Sequence, residues 1–354
     1  MFKKLIAVLG ILLVSVTTQA DQLKVMTQNL YLGSSLAPAL EAQTPAEFVE
    51  GVARIYATVQ YTNFPVRAAA IADEILATEP DLISLQEVSK WTTAGLNPPP
   101  GYDFLAILQS ELGTRGLSYS VAVVSNNANI GPAPLVLPGC VQPDQMITCT
   151  VQLEDRDVIL VNDNTQGLTW NNPRSEPYEA QVVIETPVGL LTFNRSWASI
   201  DARLNEIPFR FLNTHLEIED FPFVQEAQAA EFLAVPGKGG TIIATGDFNS
   251  ASDGSTTTSY AKLTAPGKFR DTWGEYQSPG WTCCQESNTP PLAPGALNNP
   301  VSTLQTRIDL ILSRGAARSD GYSAQLVGDT PFQAEPPFWP SDHAGVVTAI
   351  QLGP

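Results

Sequence analysis

The chain has 354 residues, 44% of them hydrophobic and 16% charged. That is enough apolar material to bury a core, and it excludes a disordered or low-complexity protein. Lys and Arg total 19 against 36 Asp and Glu, a formal net charge of −17. So acidic a chain does not hold nucleic acid strongly through its overall field, because phosphate neutralisation needs cations. A nuclease whose site carries divalent metal is not excluded, since the metal supplies the positive charge. With only two histidines, His215 and His343, imidazole chemistry is confined to two positions.

The N-terminus has the pattern of a secretory signal peptide. Lys3 and Lys4 are followed by an apolar run from Leu5 to Val16 and a small, polar stretch ending at Ala20. The run is too short for a comfortable membrane span. Cleavage after Ala20 removes two lysines and no acid, which takes the basic count from 19 to 17 and the net charge from −17 to −19. The expected location is the periplasm or the medium of a bacterium.

Along the mature chain, residues 23–32 alternate as a strand and 65–77 have apolar residues at helical spacing behind Pro65. A strand is expected over 81–88, a helix over 101–115 and a strand over 118–124. The Asn-, Pro- and Gly-rich stretch 125–149 reads as a surface excursion, within a possible elaboration around 125–180. Strand-like runs recur at 157–162, 180–186, 189–195 and 208–214, and 223–234 has a helical pattern. TIIATGDF, 241–248, reads as an apolar strand breaking at Gly246. Residues 275–302 are loop-like, and strands are expected over 307–314 and 344–352. No seam divides 21–354, so one mixed α/β domain with sheets packed on each other is expected.

In an exported chain, four cysteines favour disulfides. A Cys140–Cys149 bridge would close a short loop and stabilise by roughly 2–3 kcal/mol. Cys283 and Cys284 are adjacent, and they either bond each other or reach back to the first two. Zinc is disfavoured, because neither pair has the usual two-residue gap.

Polar signatures stand at the ends of the apolar strands: Asn29 in TQNLYLG, Glu87 in SLQEV, His215 in LNTHLE, Asp247 and Asn249 in TGDFNS, Asp309 in RIDLIL, and Ser341-Asp342-His343. Taken singly, most read as turn, cap or solvated residues. Asp309 is the exception, since a carboxylate between Ile308 and Leu310 needs a partner if buried. Arg67, Arg195 and Arg307 are candidates for phosphate contacts or structural ion pairs. Trp339 reads as a packed aromatic or a wall of the site.

In this order, NL, QE, THLE, GDFN, RIDLIL and SDH resemble the endonuclease/exonuclease/phosphatase superfamily, the deoxyribonuclease I-like proteins, over roughly residues 23–352. The resemblance implies an α/β fold, a four-layer α/β/β/α sandwich with two central mixed β-sheets and the site at one end of them. It implies phosphoester hydrolysis by in-line water attack, with Mg²⁺ (or Mn²⁺ or Ca²⁺) as cofactor. Hard cations of this kind take oxygen ligands and keep several waters. By resemblance Glu87 is the main metal ligand, with Asn29 close to metal or phosphate. His343 is the general base, and Asp309 bonds its second ring nitrogen. Asp247 orients the water, and Asn249 donates to a phosphoryl oxygen. His215 bonds the phosphate or assists the leaving group. Asp342 is assigned to a second metal or to the surroundings of His215.

The expected substrate is a phosphodiester, in a nucleic acid or a phospholipid head group, with a nuclease as the first reading. The alternatives are a sphingomyelinase-like lipid phosphodiesterase and, from another class, a catalytically silent binding module on the same fold. Against the nuclease, 17 basic residues leave little to line a long DNA groove. A monomer without a transmembrane anchor is expected.

Overall fold

The computed structural model describes residues 21–144, 146–237, 239–273, 279–315, 317–318 and 323–353. The expected signal peptide, residues 1–20, lies outside them. In chain order the first half comprises strand β1 (Asp21–Asn29), helices α1 (Ala37–Leu40), α2 (Pro45–Thr62) and α3 (Phe64–Thr78), strands β2 (Leu82–Gln86), β3 (Lys90–Gly95) and β4 (Tyr102–Asp103), helix α4 (Phe104–Thr114), and strands β5 (Tyr119–Pro134) and β6 (Cys149–Asn162). Strands β7 (Leu168–Pro177), β8 (Val182–Thr186), β9 (Gly189–Phe193), β10 (Ser196–Leu204) and β11 (Ile207–His215) follow, then helix α5 (Pro222–Ala234), strand β12 (Ile242–Asp247) and helix α6 (Ser259–Leu263). The last strands are β13 (Arg270–Asp271), β14 (Asp309–Arg314), β15 (Ala317–Arg318), β16 (Gln325–Val327) and β17 (Gly345–Leu352).

Two mixed sheets form. One has the order β15-β17-β1-β2-β6-β3-β4, with β16 on β17 and β5 on β6; the other has the order β13-β14-β12-β11-β10-β7. Successive side chains of a strand point to opposite faces, so each central strand feeds two apolar layers. On β1, Leu23 and Val25 face the second sheet and Met26 faces helices α2, α3 and α4. On β12, Ile243 faces the first sheet, while Ile242 and Ala244 pack with Ala229 and Phe232 of α5 and Leu263 of α6. Three apolar layers between four layers of elements make the expected α/β/β/α sandwich.

The helices begin where local chemistry lets them. Thr44 and Glu47 form a reciprocal capping box in front of α2, with Pro45 in its first turn. Asp103 accepts from the Ala106 N–H at the start of α4. Helix α3 ends at Glu79 in the left-handed conformation, just before Pro80.

Three sequence expectations are corrected. Helix α2 was not expected, although its capping box and the apolar Phe48, Val52, Ile55, Tyr56 and Val59 mark it. The stretch 125–149 is not simply a surface excursion: β5 continues to Pro134 and pairs antiparallel with β6 back to Cys149, with register shifts that absorb its irregular residues. Among the described residues, the tip between them carries an isolated bridge between Val141 and Ile147 and is closed by the Cys140–Cys149 disulfide. Strand β12 does not break at Gly246 but runs through it to Asp247. There a Cβ would lie 1.9 Å from the Thr214 carbonyl oxygen of the neighbouring strand. The glycine permits close strand approach rather than a turn.

Candidate active site

Register brings the polar strand ends together. Strand β11 runs parallel to β12 with His215 opposite Asp247, and β12 runs antiparallel to β14 with Asp247 opposite Asp309. Three of the expected residues therefore stand side by side across one rim of the second sheet. On the facing sheet, Asn29 lies opposite Gln86 in the parallel pair β1–β2, which puts Glu87 just past the same rim. Glu87 and Asn249 both adopt the left-handed conformation, with φ of 54° and 49°. Such backbone is costly for residues other than glycine and clusters at functional positions.

His343 is the best-anchored group. Its Nδ1 lies 2.8 Å from Oδ2 of the fully buried Asp309. Its Nε2 lies 3.9 Å from Asp247 Oδ2 and 4.0 Å from Asp342 Oδ1. Burial alone would lower the pKa of His343, but Asp309, Asp342 and Asp247 outweigh burial and hold it well above the ordinary histidine value. The Asn29 amide donates to Glu87 Oε1 at 3.2 Å and to Asp247 Oδ2 at 3.1 Å, and its oxygen accepts from the Tyr31 N–H. Asn29 thus joins the carboxylates of the two sheets. Glu87 also accepts from the Leu32 N–H at 2.7 Å. Asp247 Oδ1 accepts from the Asn249 N–H at 2.9 Å, and the Asn249 amide donates to the Leu216 carbonyl. All eight expected site residues lie in this one region.

The acids crowd one another. Burial first, then Asp309, pushes the Asp247 carboxyl up to about 7. Burial, with Glu87 adding to it, does the same for Asp342, also to about 7. Glu87 is raised by burial and by Asp155. So many carboxylates facing one space, with few cations among them, form an oxygen-rich donor set that suits a hard divalent cation.

A second cluster adjoins the first and was missed in the sequence. The ligand atoms of Asp155, Asp157 and His215 lie within 4.8 Å of one another. Both carboxylate oxygens of Asp157 are buried without a hydrogen-bond partner. Burial and the neighbouring Asp155 hold Asp157 well above the usual carboxylate range. The signal was present: Val151, Leu153, Asp155 and Asp157 occupy the inward face of β6 by simple alternation. Arg195 Nη1 lies 3.0 and 3.1 Å from the two ring nitrogens of His215, and Nη2 is 3.3 Å from Glu217 Oε1. Burial, then the Arg195 cation and His343, hold His215 well below its ordinary value.

The other arginines are structural. Arg67 is fully buried and donates to the carbonyls of Leu30, Tyr31, Thr62 and Pro340, tying α3 to both loops that flank the site. Arg307 pairs with Asp271 at 2.7 Å. Trp339 is buried and donates to the Asn299 carbonyl.

A cleft of about 550 Å³ opens beside Glu87, Asp155 and Arg195, with Leu36, Val182 and Phe193 among its apolar walls. A larger concavity of about 750 Å³ lies at the opposite end of β11 and β12, around Asp201 and Arg210, and contains none of these residues.

Two stacked mixed sheets between helices, with acids and imidazoles gathered at one rim, define the deoxyribonuclease I-like class of sandwich. The chain belongs to the endonuclease/exonuclease/phosphatase family, whose model matches residues 26–343, and whose members are in general metal-dependent hydrolases. Among solved structures it is similar to an endonuclease/exonuclease/phosphatase from Beutenbergia cavernae, at 19% identity and a TM-score of 0.55 over 94% of this chain and 72% of that one. A family protein from Bacteroides thetaiotaomicron is 16% identical with a TM-score of 0.54, over 94% and 95% of the two chains. Truncated TDP2 from Caenorhabditis elegans is 12% identical with a TM-score of 0.52, over 94% and 98%. At these identities the likeness is one of fold. No match is found among curated proteins.

Proposed function

We propose that the protein is an exported, divalent-metal-dependent phosphodiesterase acting by in-line attack of water, with nucleic acid as its substrate. In this reading the mature protein is one domain, 21–354, released by cleavage after Ala20. The observation that carries the reading is the buried Asp309–His343 hydrogen bond of 2.8 Å, which leaves Nε2 turned toward the carboxylates of Asp247 and Asp342. His343, neutral once a bound cation offsets the charge of the surrounding acids, takes the proton from the attacking water. Asp309 fixes its tautomer and stabilises the imidazolium that forms. Asp247 orients the water, Asn249 donates to a phosphoryl oxygen, and His215 bonds the phosphate or assists the leaving group. Glu87 is the principal metal ligand, with Asn29 beside it and Asp342 as a further carboxylate. Mg²⁺, when bound, neutralises the crowded acids and stabilises charge on the phosphoryl oxygens. Retention of the whole residue set supports an enzyme over a silent binding module.

A specific observation favours a second reading, a lipid phosphodiesterase. The cleft beside Arg195 has apolar walls, and it also carries Glu41, Glu217 and Asp220. That lining suits an apolar substituent better than a run of phosphates. Phe223, Leu190 and Val183 are exposed large hydrophobics, on α5 and on the β8–β9 hairpin, whose neighbouring residues help to line the cleft.

The test is hydrolysis of bis(p-nitrophenyl) phosphate with and without Mg²⁺, followed by DNA, RNA and sphingomyelin in parallel. Turnover of DNA or RNA well above sphingomyelin supports the nuclease, and the reverse order supports the lipid enzyme. Absence of hydrolysis throughout removes the enzyme reading. Mass spectrometry of the exported protein checks the start at Asp21.

A further inference from the structure

Phosphoester hydrolysis does not account for Cys283 and Cys284. The two are bonded to each other, and Cys284 Sγ lies 3.9 Å from Nε2 of His343. The sulfurs of both cysteines and a ring nitrogen of His343 fall within 4.8 Å of one another.

Main-chain hydrogen bonds hold this segment in place. Thr282 and Cys283 donate to the Thr306 carbonyl at 2.7 and 3.0 Å. The Thr282 hydroxyl oxygen accepts from the N–H groups of Ile308 and Asp309 at 3.1 Å each. The Ala344 N–H donates to the Thr282 carbonyl, and the Gln285 N–H donates to the Asp342 carbonyl. The cysteines are therefore laced to both segments that bear Asp309 and His343.

The imidazole is oriented as metal-binding histidines usually are. Nδ1 is engaged by a buried carboxylate and Nε2 is presented outward. A tetrahedral ion with bonds of about 2.3 Å to sulfur and about 2.0 Å to nitrogen separates those two ligand atoms by about 3.6 Å, near the 3.9 Å found here. Asp247 Oδ2 and Asp342 Oδ1, at 3.9 and 4.0 Å from the same nitrogen, offer a fourth ligand.

We propose that reduction of the Cys283–Cys284 bridge opens a site for a thiophilic divalent cation of the Zn²⁺ class, held by the two thiolates and His343 Nε2, and that occupation stops hydrolysis by capturing that nitrogen. The binding part stands alone; the inhibition rests on the proposed role of His343 as base. The bridge takes up two electrons from a phosphine reductant and two protons from water, whose oxygen atom leaves on the phosphine oxide. Cation binding then releases both thiol protons. Thiolates select a soft ion, whereas Mg²⁺ keeps to carboxylates, so the proposed site and the Mg²⁺ site differ in donor set.

The test uses the mature protein, oxidised or reduced with a water-soluble phosphine that is then removed under anaerobic conditions, and Co²⁺ as a spectroscopic probe. Reduced protein develops a thiolate-to-Co²⁺ charge-transfer band that Zn²⁺ displaces, while oxidised protein develops none. Cys283→Ser/Cys284→Ser abolishes the band. His343→Gln weakens Co²⁺ binding by more than about tenfold, since even loss of a ligand's supporting partner costs about 10–100-fold. In excess Mg²⁺, stoichiometric Zn²⁺ inhibits the reduced enzyme and spares the oxidised one. No band in reduced wild-type protein, or a band that survives the double substitution, overturns the site without touching the proposed hydrolysis. A band without inhibition overturns the inhibitory role and, with it, His343 as the base.

Discussion

Asp309 Oδ2 accepts from His343 Nδ1 at 2.8 Å across 34 residues of sequence, and the carboxylate is wholly buried. The two act as one unit in the proposed mechanism. His343→Ala should lower turnover by about 10²–10⁴-fold, the usual contribution of a general base. Asp309→Asn should lose much of the same factor by permitting the wrong tautomer. The double mutant should be little worse than His343→Ala alone, because both changes damage one function. A kinetic double-mutant cycle on folded variants checks this; multiplying losses would mean that the base is elsewhere.

Metal dependence follows from the crowded acids around Glu87. Stripping with chelator should abolish hydrolysis, and Mg²⁺ or Mn²⁺ should restore it. Glu87→Gln should raise the Mg²⁺ concentration needed for half-maximal activity at least about tenfold, an expectation drawn from the usual cost of disturbing a metal site. Full activity of stripped protein in excess chelator contradicts the proposal.

The two histidines give a direct electrostatic readout. In metal-free protein, NMR titration should find His343 still protonated above pH about 6.5, the ordinary histidine value, and His215 still neutral below it. Arg195→Ala should raise the pKa of His215, because the Arg195 cation helps to hold it down. The same change should lower turnover by about 10²–10³-fold if Arg195 also serves the phosphate, as loss of one transition-state donor does. An unchanged His215 titration would refute the electrostatic coupling.

Glu74 on α3 predicts a pH dependence of stability. Burial, with Asp329 and Asp73 nearby, pushes its carboxyl up to about 8, and its Oε2 is buried without a partner. Between the unfolded value of about 4.3 and the folded one, the native state holds a proton that the unfolded state has lost. Stability therefore falls as pH rises through that window. Glu74→Gln should remove this slope and stabilise by about 1–2 kcal/mol at pH 8, with a smaller effect at pH 5. Urea denaturation at both pH values checks it, and equal effects at both would contradict the assignment.

Gly246 leaves no room for a side chain. A Cβ there would lie 1.9 Å from the Thr214 carbonyl oxygen, on backbone with φ of 145°. Gly246→Ala should cost about 2–4 kcal/mol from overpacking and strain together. It should also displace Asp247 and reduce activity in whatever protein still folds. Thermal unfolding would show an unchanged midpoint if the contact were readily relieved.

Sequence alone determined many of the strands, the helices over 65–77 and 223–234, and the polar residues at the strand ends, because those signals are local. The box of Thr44 and Glu47 before α2 is a signal of the same local kind. Tertiary structure decided the rest. Register set His215, Asp247 and Asp309 in a row, although cross-strand alignment is not written in any one segment. Packing set Asp155 and Asp157 beside His215, and it separated three similar arginines into a buried clamp, a largely buried ion pair and a member of the site. Hydrogen bonds between distant loops brought Cys283 and Cys284 to His343. Residues that meet across sheets are chosen by the burial and pairing of whole layers, so their partners become visible only when the layers close.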